Sequence, residues 1–208
     1  RLGYKGANIT LPLKELAYQW ADHRDDECAR FGAANTVDLT TGKVTNTDGR
    51  GFLEAIGAAG ISPPGPVLLL GAGGTAQALA TVLADAGYEL RIHNRTRSKA
   101  ADLAVRVGAT LLDHPDVAGT KLVVNATSAG LSGEPLDIAW GTPVPGAVVM
   151  DVLYGHEPTP LLADAAQAGY QTMDGRHMLV AQAALSFEWW LGIPAPREAM
   201  FRVLEGTE

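Results

Sequence analysis

Between Val67 and Ala80 the chain runs Val-Leu-Leu-Leu-Gly-Ala-Gly-Gly-Thr-Ala-Gln-Ala-Leu-Ala, and His93-Asn94-Arg95-Thr96 follows shortly after. Four apolar residues, a glycine turn and an alanine-rich stretch read as a buried strand, a tight turn and a helix. A second strand then ends in Asn94-Arg95. Glycines at such a turn let backbone approach a pyrophosphate, and the helix N-terminus supplies N–H groups and partial positive charge. A carboxylate closing the second strand would suit the ribose hydroxyls of NAD. Asn94 and Arg95 stand there instead, with Arg97 and Lys99 after them, a setting for the 2'-phosphate of NADP. Two plainer readings stay open. The third glycine of the pattern is replaced by Ala76, so the turn could join any strand to any helix, and the cations could form a solvated loop.

The pattern after the turn alternates. Val67–Leu70, Leu90–His93, Leu122–Asn125 and Val148–Val152 are short apolar runs separated by helical stretches, with weaker strand signals at Thr110–Leu112 and Tyr170–Met173. This predicts an α/β fold with a Rossmann-like, doubly wound parallel sheet covered by helices on both faces. Ser62-Pro-Pro-Gly-Pro66 is the strongest break in the chain. It separates residues 1–61, expected to form a smaller α/β substrate-binding domain, from 62–175, expected to bind the dinucleotide. Residues 176–208 are expected to form helices packing back on the first domain. In the first part, helices are predicted over Lys14–Asp22, Arg24–Phe31 and Gly51–Ala59. Asn35–Leu39 and Val44–Asn46 read as strands joined through Thr41-Gly42. Further helices are predicted over His177–Leu191 and Arg197–Leu204.

The net charge of −7 over 208 residues argues against a nucleic-acid partner. One cysteine, Cys28, cannot form an internal disulfide, which suits a cytoplasmic setting. No uninterrupted apolar run of about 20 residues suggests a membrane span, and no signal peptide is visible at Arg1-Leu-Gly-Tyr-Lys5. The five histidines are scattered, and no cluster has metal-ligand spacing, so no metal is expected. Two loop motifs could carry chemistry: Asn8-Ile-Thr-Leu-Pro-Leu-Lys14 ends on a lysine, and Asn46-Thr-Asp-Gly-Arg-Gly51 holds a carboxylate between glycine-flanked turns. A dehydrogenase needs a proton donor beside the carbonyl and a partner that orients it, and Lys14 with Asp48 is the candidate pair. Alternatively Asp48 caps the helix that follows, and Lys14 is a surface lysine.

Across nearly its whole length the chain resembles the shikimate dehydrogenase family. The resemblance rests on the two loop motifs above and, in order, on Gly32-Ala-Ala-Asn-Thr36, Gly71-Ala-Gly-Gly-Thr75, Asn94-Arg-Thr96 and Asn125-Ala-Thr-Ser-Ala-Gly130. Asp151-Val-Leu-Tyr154, Thr159-Pro-Leu-Leu162 and Asp174-Gly-Arg-His-Met-Leu-Val-Ala-Gln182 complete it. It implies reversible, NADPH-dependent reduction of 3-dehydroshikimate to shikimate, a step toward chorismate and the aromatic amino acids. It implies Lys14 as the acid/base at the reacting oxygen, with Asp48 binding a neighbouring hydroxyl and holding the lysine. Thr10, Asn35, Tyr154 and Gln182 would line the polyhydroxylated ring, where unpaired polar groups would penalise a wrong ligand. Gly71, Ala72, Gly73, Gly74 and Thr75 would bind the pyrophosphate. Asn94, Arg95, Thr96 and Lys99 would hold the adenosine ribose phosphate, and Val152, Gly175 and Met178 would lie near the nicotinamide half. Thr127, a further cofactor-binding candidate, follows the apolar strand Leu122–Asn125, where the sheet's carboxyl edge faces the ligand crevice. Taken alone, Gln182 and Tyr154 could be ordinary helix and strand-end residues, and Met178 core packing.

Family members carry several dozen residues before the Asn-x-Thr-x-Pro-x-Lys motif, including a Ser-x-Ser-Pro motif for the substrate carboxylate, and the sequence given begins after it. The chain alone is therefore expected to bind NADPH better than shikimate, and a homodimer through an exposed sheet edge is a candidate assembly. His156 stands where the family usually has proline. The amine of the front domain and the nicotinamide held by the rear domain are expected to meet across a shared cleft. Quinate or aminoshikimate dehydrogenase relatives, and a non-catalytic NADP-binding or regulatory protein of the same fold, are the alternatives.

Overall fold

Strand and helix starts in this chain are set by a few polar and glycine positions, visible in a computed structural model that describes residues 3–10, 12–127, 129 and 136–205. Leu11, Ser128 and Gly130, which belong to the family motifs, lie outside the described residues. The chain divides into two compact units, Arg1–Phe52 with Met178–Glu208, and Leu53–His177. Both divisions fall inside helices, where the proline-rich stretch had suggested a boundary at 61/62.

The first unit carries a four-stranded sheet of order β1-β3-β4-β2, formed by Gly6–Asn8 (β1), His23–Arg24 (β2), Thr36–Asp38 (β3) and Lys43–Thr45 (β4). The expected hairpin is present: β3 and β4 pair antiparallel, with Thr36 opposite Thr45. Helix α1 spans Lys14–Trp20 and α2 spans Asp26–Phe31. The helix predicted from Arg24 is shorter than expected, for a local reason. The Asp25 carboxylate accepts the Cys28 N–H and caps the first turn, so His23 and Arg24 stay extended and pair in parallel with Lys43 and Val44. Gly32, with φ +60, ends α2 in the left-handed conformation that a side chain disfavours. Helix α3, Asp48–Ala58, starts in this unit.

In the second unit six strands form a parallel sheet of order β10-β9-β8-β5-β6-β7. They are Pro66–Leu70 (β5), Glu89–His93 (β6), Thr110–Leu111 (β7), Leu122–Asn125 (β8), Val148–Asp151 (β9) and Gln171–Met173 (β10). Helix α4, Gly74–Asp85, and α5, Arg97–Val107, make the crossovers on one side of β5. Helix α6, Pro160–Gln167, connects β9 to β10 on the other. Chain order therefore reverses between β5 and β8. With right-handed crossovers, helices must cover both faces. Burial agrees, since Val67, Leu68, Leu69 and Leu70 are each no more than 2% exposed. Leu68 and Leu70 pack with Val123, Val149, Leu161, Leu162 and Ala165 on the α6 side. Truncating one of these leucines to alanine would cost about 2–5 kcal/mol. Helix α7, Gly175–Leu191, and α8, Arg197–Glu205, complete the described chain.

Candidate active site

Lys14 is the first residue of α1, and two backbone bonds fix where it stands. Leu13 N donates to Thr10 O at 2.9 Å in the turn before it, and Ala34 N donates to Lys14 O at 2.9 Å. Asp48 opens α3, but its carboxylate does not cap the helix. Asn46 Oδ1 accepts the Asp48 N–H at 3.0 Å and takes that task. The carboxylate is thereby left to side chains: Lys14 Nζ donates to Oδ2 at 2.8 Å, and Asn35 Nδ2 donates to Oδ1 at 3.0 Å. Lys14 and Asp48 side chains are 24% and 19% exposed, so the pair is half-buried but open to a ligand.

Asn35, 2% exposed, is the hub. Its Nδ2 also donates to Gln182 Oε1 at 3.2 Å and Thr47 Oγ1 at 3.0 Å. Its Oδ1 accepts Thr36 Oγ1 and Thr47 N, both at 2.9 Å. Below it, the buried Ser186 hydroxyl bonds Asn8, Thr36 and Thr47. Gln182 reaches this point because α7 touches α3 at Gly51, where any Cβ would lie 2.6 Å from Gln182 N. Lys14, Asn35, Asp48 and Gln182 are thus joined by direct hydrogen bonds. Thr10 is exposed at the end of the β1 segment, and Tyr154, 53% exposed, lies in the second unit. Sequence reasoning missed Ser186, whose one signal was a polar residue four positions after Gln182 on an apolar helix.

The second unit offers a different kind of surface. Gly71 has φ +118 and its Cβ would meet Ala126 O at 2.9 Å, so glycine is required there. Gly73, Gly74 and Thr75 are exposed, a Cβ on either glycine would meet nothing, and Gly73 brings no side chain to cap α4. Ala72, 5% exposed, is held beneath them, with Gln77 Nε2 donating to its carbonyl. This open backbone cradle at a helix N-terminus, beside the point where strand order reverses, fits a dinucleotide pyrophosphate. After β6, Asn94 Nδ2 donates to Thr96 O at 2.9 Å and shapes the loop on which Arg95 and Thr96 are exposed, and Lys99 is exposed in the first turn of α5. Arg97 Nε donates to Asp113 Oδ1 at 2.6 Å. The Arg97 guanidinium, by hydrogen bond and charge, holds the Asp113 carboxyl below its ordinary value.

On the other side of the reversal, Asn125 Oδ1 accepts Thr127 N at 3.0 Å and Thr127 Oγ1 at 2.7 Å. Val152 N donates to Asn125 O at 3.0 Å. Gly175 presses on this loop, since its Cβ would lie 2.1 Å from Val152 O. Met178, on α7, is half-buried and belongs to the first unit. Among the described residues no group of three His, Cys, Asp or Glu side chains could hold a metal ion. No described helix is long and apolar enough to cross a membrane.

A family model described as the shikimate dehydrogenase substrate binding domain matches residues 1–37. One described as shikimate / quinate 5-dehydrogenase matches 64–129, and one described as the shikimate 5'-dehydrogenase C-terminal domain matches 175–205. The shikimate dehydrogenase (NADP(+)) of Sinorhizobium fredii is 39% identical over 215 residues, spanning 97% of this chain and 75% of the relative. The crystal structure of Thermus thermophilus shikimate 5-dehydrogenase in complex with NADP(H) and shikimate superimposes with a TM-score of 0.84. It is 35% identical, over 100% of this chain and 80% of that one. The ligand-free 5-ketofructose reductase of Gluconobacter sp. strain CHM43 is similar too, at a TM-score of 0.82 and 34% identity, over 99% and 79%.

Proposed function

The chain belongs to the shikimate dehydrogenase family, and from that premise we propose that it catalyses the reversible NADPH-dependent reduction of 3-dehydroshikimate to shikimate. The observation that carries the reading is the Lys14–Asp48 pair at 2.8 Å, braced by Asn35 and Gln182. In the reducing direction Lys14 donates a proton from Nζ to the carbonyl oxygen as that oxygen gains negative charge. In the oxidising direction its neutral amine takes the hydroxyl proton back. Asp48 holds Nζ in place and has lone pairs left for a substrate hydroxyl. Gln182, Thr10 and Tyr154 supply further polar contacts to the ring. Asn35 contributes by holding Asp48 and Gln182 at fixed separation, since its own amide is committed to them.

The chemistry the cofactor supplies when bound is hydride transfer. Gly71 to Thr75 would hold its pyrophosphate, and Asn94, Arg95, Thr96 and Lys99 its adenosine 2'-phosphate. Thr127, Val152, Gly175 and Met178 would take the nicotinamide half. A cytoplasmic setting without membrane or nucleic-acid partners goes with this reading, supported by the net charge of −7 and the buried thiol of Cys28. Pairing of β1, at one edge of its sheet, with a second copy is the form a homodimer would take.

A second reading is favoured by one observation, the close likeness to 5-ketofructose reductase. The same acid/base pair could serve another polyhydroxylated ketone. Steady-state rates of NADP+ and NAD+ reduction with shikimate, quinate and 5-ketofructose's reduced partner, fructose, separate the cases. The expected result is the highest kcat/KM for shikimate with NADP+. Equal rates with NAD+ would remove the role given to Arg95, and a preference for fructose would replace the substrate.

A further inference from the structure

Asp151 is a carboxylate with 0% exposure at the end of β9, and nothing in the proposed chemistry uses it. Burying such a group away from water is costly unless donors surround it. Here three do. Asn125 Nδ2 donates to Oδ1 at 3.2 Å, Leu153 N donates to Oδ1 at 3.1 Å, and Thr159 Oγ1 donates to Oδ2 at 2.8 Å. Each donor sits on a segment that the fold must hold above the sheet. Asn125, opposite Asp151 in the β8–β9 register, carries Thr127 on its other side-chain atom, the amide oxygen. Leu153 follows Val152, and its carbonyl accepts Gly175 N at 3.1 Å. Thr159 is the N-cap of α6, where its hydroxyl also accepts Leu162 N, so the loop after Tyr154 is tied back to the same carboxylate.

The strand order locates these segments relative to the cofactor. Ligands of open parallel sheets lie beyond the C-terminal strand ends where the order reverses, here between β5 and β8. The cation-bearing loop follows β6 on one side, so the adenosine half belongs there and the nicotinamide half belongs over β8 and β9. We infer that Asp151 is a positioning residue for the nicotinamide half of the site, acting through Asn125 on Thr127 and through the Leu153 amide on Val152. The inference rests on the proposed cofactor. Asp151 touches neither substrate nor cofactor. Its two oxygens tie the segment after β8 to the segment after β9.

The test separates the two halves of the cofactor. Asp151→Leu removes every acceptor, Thr159→Val removes the bond to Asp151 together with the α6 cap at a less buried site, and Asp151→Asn keeps Oδ1 for its two donors and turns an amide toward Thr159 Oγ1. Three quantities are measured: calorimetric affinity for adenosine 2',5'-bisphosphate, the emission of bound NADPH as a report on its nicotinamide ring, and kcat with shikimate. Asp151→Leu is expected to lose about 100-fold in kcat and to leave bound NADPH emitting as it does in water, with adenosine 2',5'-bisphosphate affinity unchanged. Thr159→Val is expected to move in the same direction by less, and Asp151→Asn to restore most of both signals. Wild-type emission and turnover in Asp151→Leu would overturn the inference. So would adenosine 2',5'-bisphosphate affinity falling in step with kcat. If Asp151→Leu does not fold, Thr159→Val decides by the same two criteria. If the unaltered chain shows no shikimate turnover, the proposed reaction fails, while emission and adenosine-half affinity still decide the role of Asp151.

Discussion

The two units build their halves of the chemistry from different parts of the amino acid. In the first, side chains do the work: Lys14, Asn35, Asp48 and Gln182 form one hydrogen-bonded set over a buried floor of Thr36, Thr47 and Ser186. In the second, the candidate cofactor surface is largely backbone, with Gly71 forced into a positive φ and Gly73 and Gly74 open to ligand. A side-chain network discriminates between ligands, because each buried donor or acceptor left unmatched costs about 1–3 kcal/mol. A backbone cradle at a helix end tolerates sequence change but accepts any well-placed pyrophosphate, so the choice between cofactors passes to Arg95 on the loop after β6 and Lys99 in the first turn of α5.

That contrast makes the two halves separately breakable. Away from the acid/base pair itself, a large effect is expected from Asn35→Ala, which strips Asp48 and Gln182 of their common support. Turnover should fall about 100-fold and thermal stability should drop, with NADP+ affinity by calorimetry unchanged. Gly71→Ala should do the reverse. A side chain at φ +118 costs about 1–3 kcal/mol, and its contact with Ala126 O shifts the turn, so NADP+ affinity should fall while Lys14 and Asp48 keep their pairing. An Asn35→Ala chain that loses both activities together would show that the halves are not independent. Arg95→Ala is expected to lower NADP+ affinity about tenfold, the value of a charge-assisted bond to phosphate, and to leave NAD+ affinity as it was.

The smallest effects lie away from both halves. Thr40, through its hydroxyl and its N–H, lowers the Asp38 carboxyl from 3.8 to about 2. A carboxyl depressed in the folded state stabilises the fold above its unfolded value, and that contribution is lost as pH falls toward 2. Acid unfolding of Thr40→Ala should begin at slightly higher pH, with a difference below about 1 kcal/mol because the group is screened by solvent. Burial, aided by Asp25, pushes the Cys28 thiol up to about 11. Alkylation of the native chain near neutral pH should therefore be slow, and should accelerate only on unfolding.

What was legible in the sequence follows the same division. The cradle at Gly71, the strand beneath it and the alternation of the second unit are local patterns, and strands β5, β6, β8 and β9 stand where the apolar runs put them. Asn35 and Gln182 are 147 positions apart, and no spacing rule links them. Each was readable only through a family motif, and Ser186 through none. Local polar chemistry also hid. A helix expected from Arg24 begins at Asp26 because Asp25 caps it, and an Asp48 that could have been a cap is released from that duty by Asn46. Arg97 is paired with Asp113, sixteen residues away, and no local pattern announces that partner.

The role of the Lys14 amine is reached most directly by comparing shikimate-dependent NADP+ reduction in the unaltered chain and in Lys14→Ala, with NADP+ affinity measured on both. Loss of a positioned proton donor should reduce kcat by about 100-fold to 10,000-fold while NADP+ binds as before. Undiminished turnover in Lys14→Ala would mean that another group moves the proton, and the pairing of Lys14 with Asp48 would be no more than a structural contact.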